Sequence, residues 1–125
     1  MSTTTQPTEL HEQLNAWKEE VREVKEEVTL MRERLEQIAL SKAPKEVLSQ
    51  VEHFENRLLR QREVADEMFH DIKQSAKKHS DAPSNVQHDD RPVHDYSTLQ
   101  NRMETFQKLY MQLKGEFNHF ITSQG

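Results

Sequence analysis

Apolar residues recur along three stretches of this 125-residue chain at alternating spacings of four and three. The first stretch runs Leu10, Leu14, Trp17, Val21, Val24, Val28, Met31, Leu35 and Ile38 without a missed step. That spacing holds one narrow stripe on the same side of a helix and is the signature of a coiled-coil seam. Pro7 suits a first helical turn, where its missing N–H costs nothing, so the first helix is expected over residues 8–40. Residues 1–6 are polar, Thr-rich and aperiodic, and are expected to form a disordered tail.

Ser41-Lys42-Ala43-Pro44 is the one break before the pattern resumes, and a proline opening a helix after so short a link implies an antiparallel hairpin. The second helix, expected over 44–79, carries Val47, Val51, Phe54, Leu58, Gln61, Ala65, Met68 and Ile72. Its last turn holds Lys77, Lys78 and His79, cations that suit the negative end of the helix dipole. Residues 80–96 contain two prolines, many turn formers and no periodicity, and read as a long loop. Ser97 followed by Gln100 is a capping-box signature, so the third helix is expected over 97–122, with Leu99, Met103, Phe106, Tyr110, Leu113, Phe117 and Phe120 as its stripe.

Three stripes of this kind bury one another in an all-α, elongated, antiparallel three-helix coiled-coil bundle, a single domain over residues 7–122. Folding the first two helices about residue 43 puts Trp17 level with Met68 and Phe69, and these with Phe106 and Tyr110. A second layer gathers Met31, Phe54, Phe117 and Phe120, aromatic material that normally fixes packing. Gln61 interrupts the seam between Leu58 and Ala65; a lone polar residue there sets register or oligomer state at some cost in stability. Gly115 lies opposite the third stripe, where it weakens the helix by about 1 kcal/mol relative to alanine.

Leu30, Leu59 and Met111 fall outside the stripes. Leu30 and Leu59 come within about one turn of each other along the bundle, and grouped they suggest a contact face for a homodimer or another protein partner.

Composition supports a thin molecule. With 33% hydrophobic and 31% charged residues, the chain is short of core material for a multilayered globule, whereas a bundle needs only about two apolar positions in seven. The net charge of −5 divides into about −3 over residues 1–42, zero over 44–79 and −2 over 80–125, so no basic segment is present and nucleic acid is not an expected partner. No apolar run approaches the roughly 20 residues of a membrane span and the N-terminus is no signal peptide, so a cytoplasmic protein without membrane contact is expected. The absence of cysteine excludes disulfides and thiol chemistry.

Candidate chemistry is sparse. Glu67 with His70 and Glu116 with His119 form two Glu-x-x-His pairs, the ligand pattern of carboxylate-bridged di-metal sites in bundles. With the second and third helices antiparallel, the pairs lie roughly 20 Å apart at 1.5 Å rise per residue, and Glu67 and His119 fall at outward positions. His88, Asp89, Asp90, His94 and Asp95 in the loop are also metal-binding types, without an element to preorganise them. His11 and His53 fall on helix flanks. No serine or threonine has an orienting histidine and acid at a recognisable spacing, and Gly115 and Gly125 are the only glycines, so phosphate-cradling loops are excluded. The expectation is a non-enzymatic interaction or scaffold protein without a cofactor, with a metal-binding bundle as the alternative.

Val51-Glu52-His53-Phe54-Glu55-Asn56, Glu104-Thr105-Phe106-Gln107-Lys108-Leu109 and Glu116-Phe117-Asn118-His119-Phe120, together with the early Trp17 and the acidic, His-containing stretch 88–95, resemble an uncharacterised family of small three-helix coiled-coil proteins from Bacteroidetes. The likeness covers nearly the whole chain and implies a fold but no activity. In outline the chain is also similar to spectrin-type repeats, from which its single copy and long second loop depart.

Overall fold

The computed structural model describes residues 7–80 and 96–124. They form an all-α three-helix bundle of α1 (Pro7–Leu40), α2 (Lys45–Ser80) and α3 (Tyr96–Gln124). After Pro7 no glycine or proline interrupts α1, and its exposed side is filled by long charged residues that lose little rotamer freedom in a helix. The helix stops where Lys42 turns left-handed at φ 61°. There the Ser41 backbone N–H and hydroxyl both donate to the Ile38 carbonyl, at 3.1 and 2.7 Å. Pro44 offers its carbonyl to the N–H groups of Val47 and Leu48, at 3.0 and 2.9 Å, and α2 begins. Proline suits this position because it needs no donor partner.

Polar residues bordering the apolar stripes fix how the helices run. Each stripe has a leading flank, whose residues immediately precede a stripe residue, and a trailing flank, whose residues follow one. The trailing flanks of α1 and α2 meet: Arg32 pairs with Glu55 at 2.8 Å, and Lys25 lies 5.8 Å from the Phe69 ring centre while reaching Asp66 at 2.7 Å. The leading flanks of α2 and α3 meet through Arg57 with Glu116 at 2.5 Å and Asp71 with Arg102 at 2.7 Å. Along each of these two seams residue numbers rise on one helix as they fall on the other, so both helix pairs are antiparallel. Between α1 and α3 the leading flank meets the trailing one, through Glu20 with Gln107 at 2.9 Å and Glu27 with Lys114 at 3.1 Å, and both numbers rise together. The bundle is therefore up, down, up. Such half-exposed ion pairs are individually worth only about 0.2–1 kcal/mol, so their role is to select direction and register more than to supply stability.

Stripe residues from Leu14 to Leu35, Phe54 to Ile72 and Leu99 to Phe120 are buried, while Leu10, Ile38, Val47 and Val51, nearer the bundle ends, are partly covered. Phe54 makes an edge-on contact with Phe117, centroids 5.7 Å apart, and a stacked one with Phe120 at 5.2 Å, the aromatic layer read from the pattern. The central layer is offset from the expected one. The seam pairs place Trp17 level with Ile72 and Met103, about one turn away from Met68 and Phe106, an offset small at Arg32–Glu55 beside the hairpin and larger at Lys25–Asp66. The backbones of α1 and α2 approach each other most closely, where Val21, Val24, Val28 and Ala65 are small. α3 stands farther off, held by Phe106, Tyr110, Phe117 and Phe120.

Candidate functional site

The most concentrated polar arrangement lies in the α1–α3 seam. The Tyr110 hydroxyl donates to Glu27 Oε1, and Lys114 Nζ reaches the same oxygen at 3.1 Å while lying 5.8 Å from the Tyr110 ring centre. Two turns below the Glu27–Lys114 pair, the Gln107 amide donates to both Glu20 oxygens at 2.9 Å. The hydrogen bond from Tyr110 holds the Glu27 carboxyl below its ordinary range, with Lys114 adding to it against a smaller opposing effect of burial. Burial first, and Glu27 second, pushes the Tyr110 phenol well above its ordinary value. A phenol locked as a donor to a carboxylate supplies neither a nucleophile nor a base at neutral pH, so this group is a clamp between helices.

The two Glu-x-x-His pairs are not brought together. Glu116 is engaged by Arg57, whose hydrogen bond lowers its carboxyl below the ordinary range. The seam pairs place Glu116 beside Arg57, well over two turns of α2 from Glu67 and His70. Glu67, His70 and His119 are exposed, and the His70 ring shares a 3.2 Å hydrogen bond with Gln74. Among the described residues no three histidine, aspartate or glutamate side chains gather as a metal ion would require. His88, Asp89, Asp90, His94 and Asp95 lie outside the described residues. His11 is half-buried, and exposed His53 packs edge-on against Phe54 at 5.6 Å.

Two grooves run between helices. The α2–α3 groove, about 430 Å³, has Leu109 and Leu113 on one wall, Arg57 and Arg60 on the other, and the Gln61 carboxamide at its floor. The α1–α2 groove, about 660 Å³, opens at the hairpin end of the bundle over Leu35, Ala39, Leu48 and Val51. Neither was visible as a site in the spacing alone. The signal that could have found the second is Ala39 facing Leu48 on flanks whose next levels carry Arg32 with Glu55 and Lys25 with Phe69.

Leu30 and Met111 are 64% and 65% exposed, and Leu59 is 39% exposed. Leu30 stands one turn beyond Glu27 on the side that meets α3, whereas Leu59 stands one turn beyond Glu55 on the side that meets α1. Helical geometry turns Leu30 towards the α1–α3 side and Leu59 towards the α1–α2 side, and Met111 lies on the flank of α3 that meets α1.

No helix among the described residues is long and apolar enough to cross a membrane. No protein-family model matches the chain, and neither a curated protein nor a solved structure is significantly similar to it.

Proposed function

We propose that this chain is a non-catalytic coiled-coil interaction or scaffold protein that works through its outer faces. The observation that carries this reading is the division of labour among the side chains. Aromatic and aliphatic residues of all three stripes close on one another, flank charges pair between helices, and Leu30, Leu40, Leu109 and Met111 are left more than half exposed. Buried polar groups converging on a cleft, the usual mark of a reaction site, do not accompany these outward leucines among the described residues.

Light scattering on the purified chain is expected to report a homodimer, and a monomer at high concentration removes self-association from this reading. Capture from native cells, with the full chain beside a version lacking residues 80–95, tests for a different protein partner; partners unchanged by the deletion assign binding to the helices. Elemental analysis of protein purified without a histidine tag is the opposing test. Stoichiometric iron, manganese or zinc would replace the scaffold reading with a metal-binding one.

A further inference from the structure

We infer that the α1–α2 groove at the hairpin end is a docking site for a basic amphipathic helix of a partner protein, which lies along it as a fourth helix. The inference rests on the interaction-protein reading and names the surface and the chemistry of the partner.

The groove has an apolar floor. Leu48 is 38% exposed on the α2 side, and opposite it Ala39 leaves a gap where neighbouring levels of the same flank carry Arg32 and Lys25. Val51 is half-buried beneath them. The volume of about 660 Å³ admits several side chains, and the Arg32–Glu55 pair and Thr29 line it away from the hairpin. Apolar anchors at three- and four-residue spacing on an incoming helix meet such a trough as they meet a neighbouring helix in a bundle.

The rim gives the sign of the partner. Glu33, Glu36 and Glu52 border the groove, all are exposed, and none makes an ion pair among the described residues. The one guanidinium in the lining, Arg32, is already held by Glu55. Glu33 and Glu36 also lie in the last two turns of α1, whose final turn holds no basic residue. Carboxylates there oppose the negative end of the helix dipole, so the local potential adds where an isolated helix would place cations. Lys42 in the hairpin and Lys45 at the start of α2 lie outside the lining. The α2–α3 groove differs in having no carboxylate in its lining, and its Arg57 and Arg60 are paired with Glu116 and Glu63. Charge complementarity therefore selects lysine or arginine on both flanks of the incoming apolar stripe.

The test uses the full chain and a fluorescein-labelled peptide of about 18 residues, long enough to hold a helix, with leucines at four-three spacing and lysines on either side. A twin carries glutamate in place of each lysine. The lysine peptide is expected to bind saturably, to shift backbone amides within 29–39 and 48–55, and to weaken about tenfold in the Glu36→Lys, Glu52→Lys double variant. Leu48→Asp is expected to abolish binding while melting stays within a few degrees of the parent, because Leu48 is partly exposed already. Equal affinity for the glutamate twin, or amide shifts centred on Leu109 and Leu113, overturns the assignment. So does conversion of a dimer to a monomer by Leu48→Asp, which would make a second copy the occupant. If the lysine peptide fails while the full chain still dimerises or retains its cellular partner, the groove is wrong and the interaction reading stands; if none of these associations is found, both fall.

Discussion

Tyr110 on α3 donates its hydroxyl to Glu27 on α1, joining the only two helices of the bundle that run parallel. Because Glu27 is held below its ordinary value of 4.5, its contribution to stability is present above that pH and is lost as acidification carries the solution through the folded-state value. Tyr110 works in the other direction. Its raised value keeps the proton on in the folded chain, so that contribution is present below the ordinary phenol value of 10.0 and declines as the pH climbs beyond it. Tyr110→Phe is therefore expected to cost roughly 1 kcal/mol near neutrality, a figure reduced because Glu27 is 42% exposed, and to flatten both arms of the stability–pH curve. Urea titrations of the two chains from acid to alkaline pH measure this. Parallel curves of unchanged shape would show that the clamp contributes nothing to the pH dependence.

Gln61 is level with Val28 and Leu113 and is 9% exposed, with its carboxamide at the floor of the α2–α3 groove. No side chain among the described residues hydrogen-bonds to it, and its carboxamide faces the open groove instead of the sealed core, so an aliphatic side chain there gains apolar burial of about 1 kcal/mol. Gln61→Leu is expected to raise the unfolding free energy from urea titration by that amount. If Gln61 also enforces oligomer state, light scattering of the variant will show a broader distribution of species than the parent. A stabilised variant with an unaltered distribution would leave Gln61 without a specifying role.

Much of the architecture was legible because the four-three spacing is insensitive to local detail. The positions of Leu14, Leu58 and Phe106 within their stripes determine that they are buried, whatever lies on the other helix faces. Register was less legible. Arg32 with Glu55 near the turn still fits a fold centred close to residue 43, whereas Lys25 with Asp66 farther along does not, so the offset accumulates along the seam where no spacing rule reports it. The α1–α2 groove was least legible, since it arises from a small residue on one helix facing an exposed leucine on another. That relationship exists only once register is known. Glu67 with His70 and Glu116 with His119 were legible in the negative sense, since the stripes already put Glu67 and His119 outward and the antiparallel register kept the pairs apart.

Two backbone positions should respond to substitution in opposite chemical directions and with the same sign. Lys42 occupies φ 61°, where a Cβ crowds the backbone, so Lys42→Gly is expected to stabilise by about 0.5–1 kcal/mol after glycine's greater unfolded-state freedom is deducted. Gly115 sits mid-helix with nothing beyond its chain neighbours and its own helical backbone within 4 Å of where a Cβ would stand, so Gly115→Ala is expected to add about 1 kcal/mol. The sites are far apart along the bundle, and the double variant should show the sum. Thermal and denaturant unfolding measure all three. Destabilisation by Gly115→Ala would mean that something packs on that face in solution, which would point to a second interaction surface.

Phe54 anchors the end of α3. It touches both Phe117 and Phe120, and α3 otherwise stands farther from its neighbours than α1 and α2 do from each other. Removing the ring in Phe54→Ala is expected to cost about 3–5 kcal/mol, in the range measured for large core aromatics. The loss should not be uniform. Residues 117–124 have the aromatic layer as their main attachment, whereas α1 and α2 remain zipped through Val21, Val24, Val28 and Ala65. Hydrogen exchange of the variant is therefore expected to show the last two turns of α3 opening before α1 loses protection. Phe54→Leu, which keeps part of the volume, should restore protection in α3 while leaving some of the global deficit. Equal loss of protection in all three helices would show instead that the bundle unfolds as one unit and that α3 has no independent hinge at Phe117.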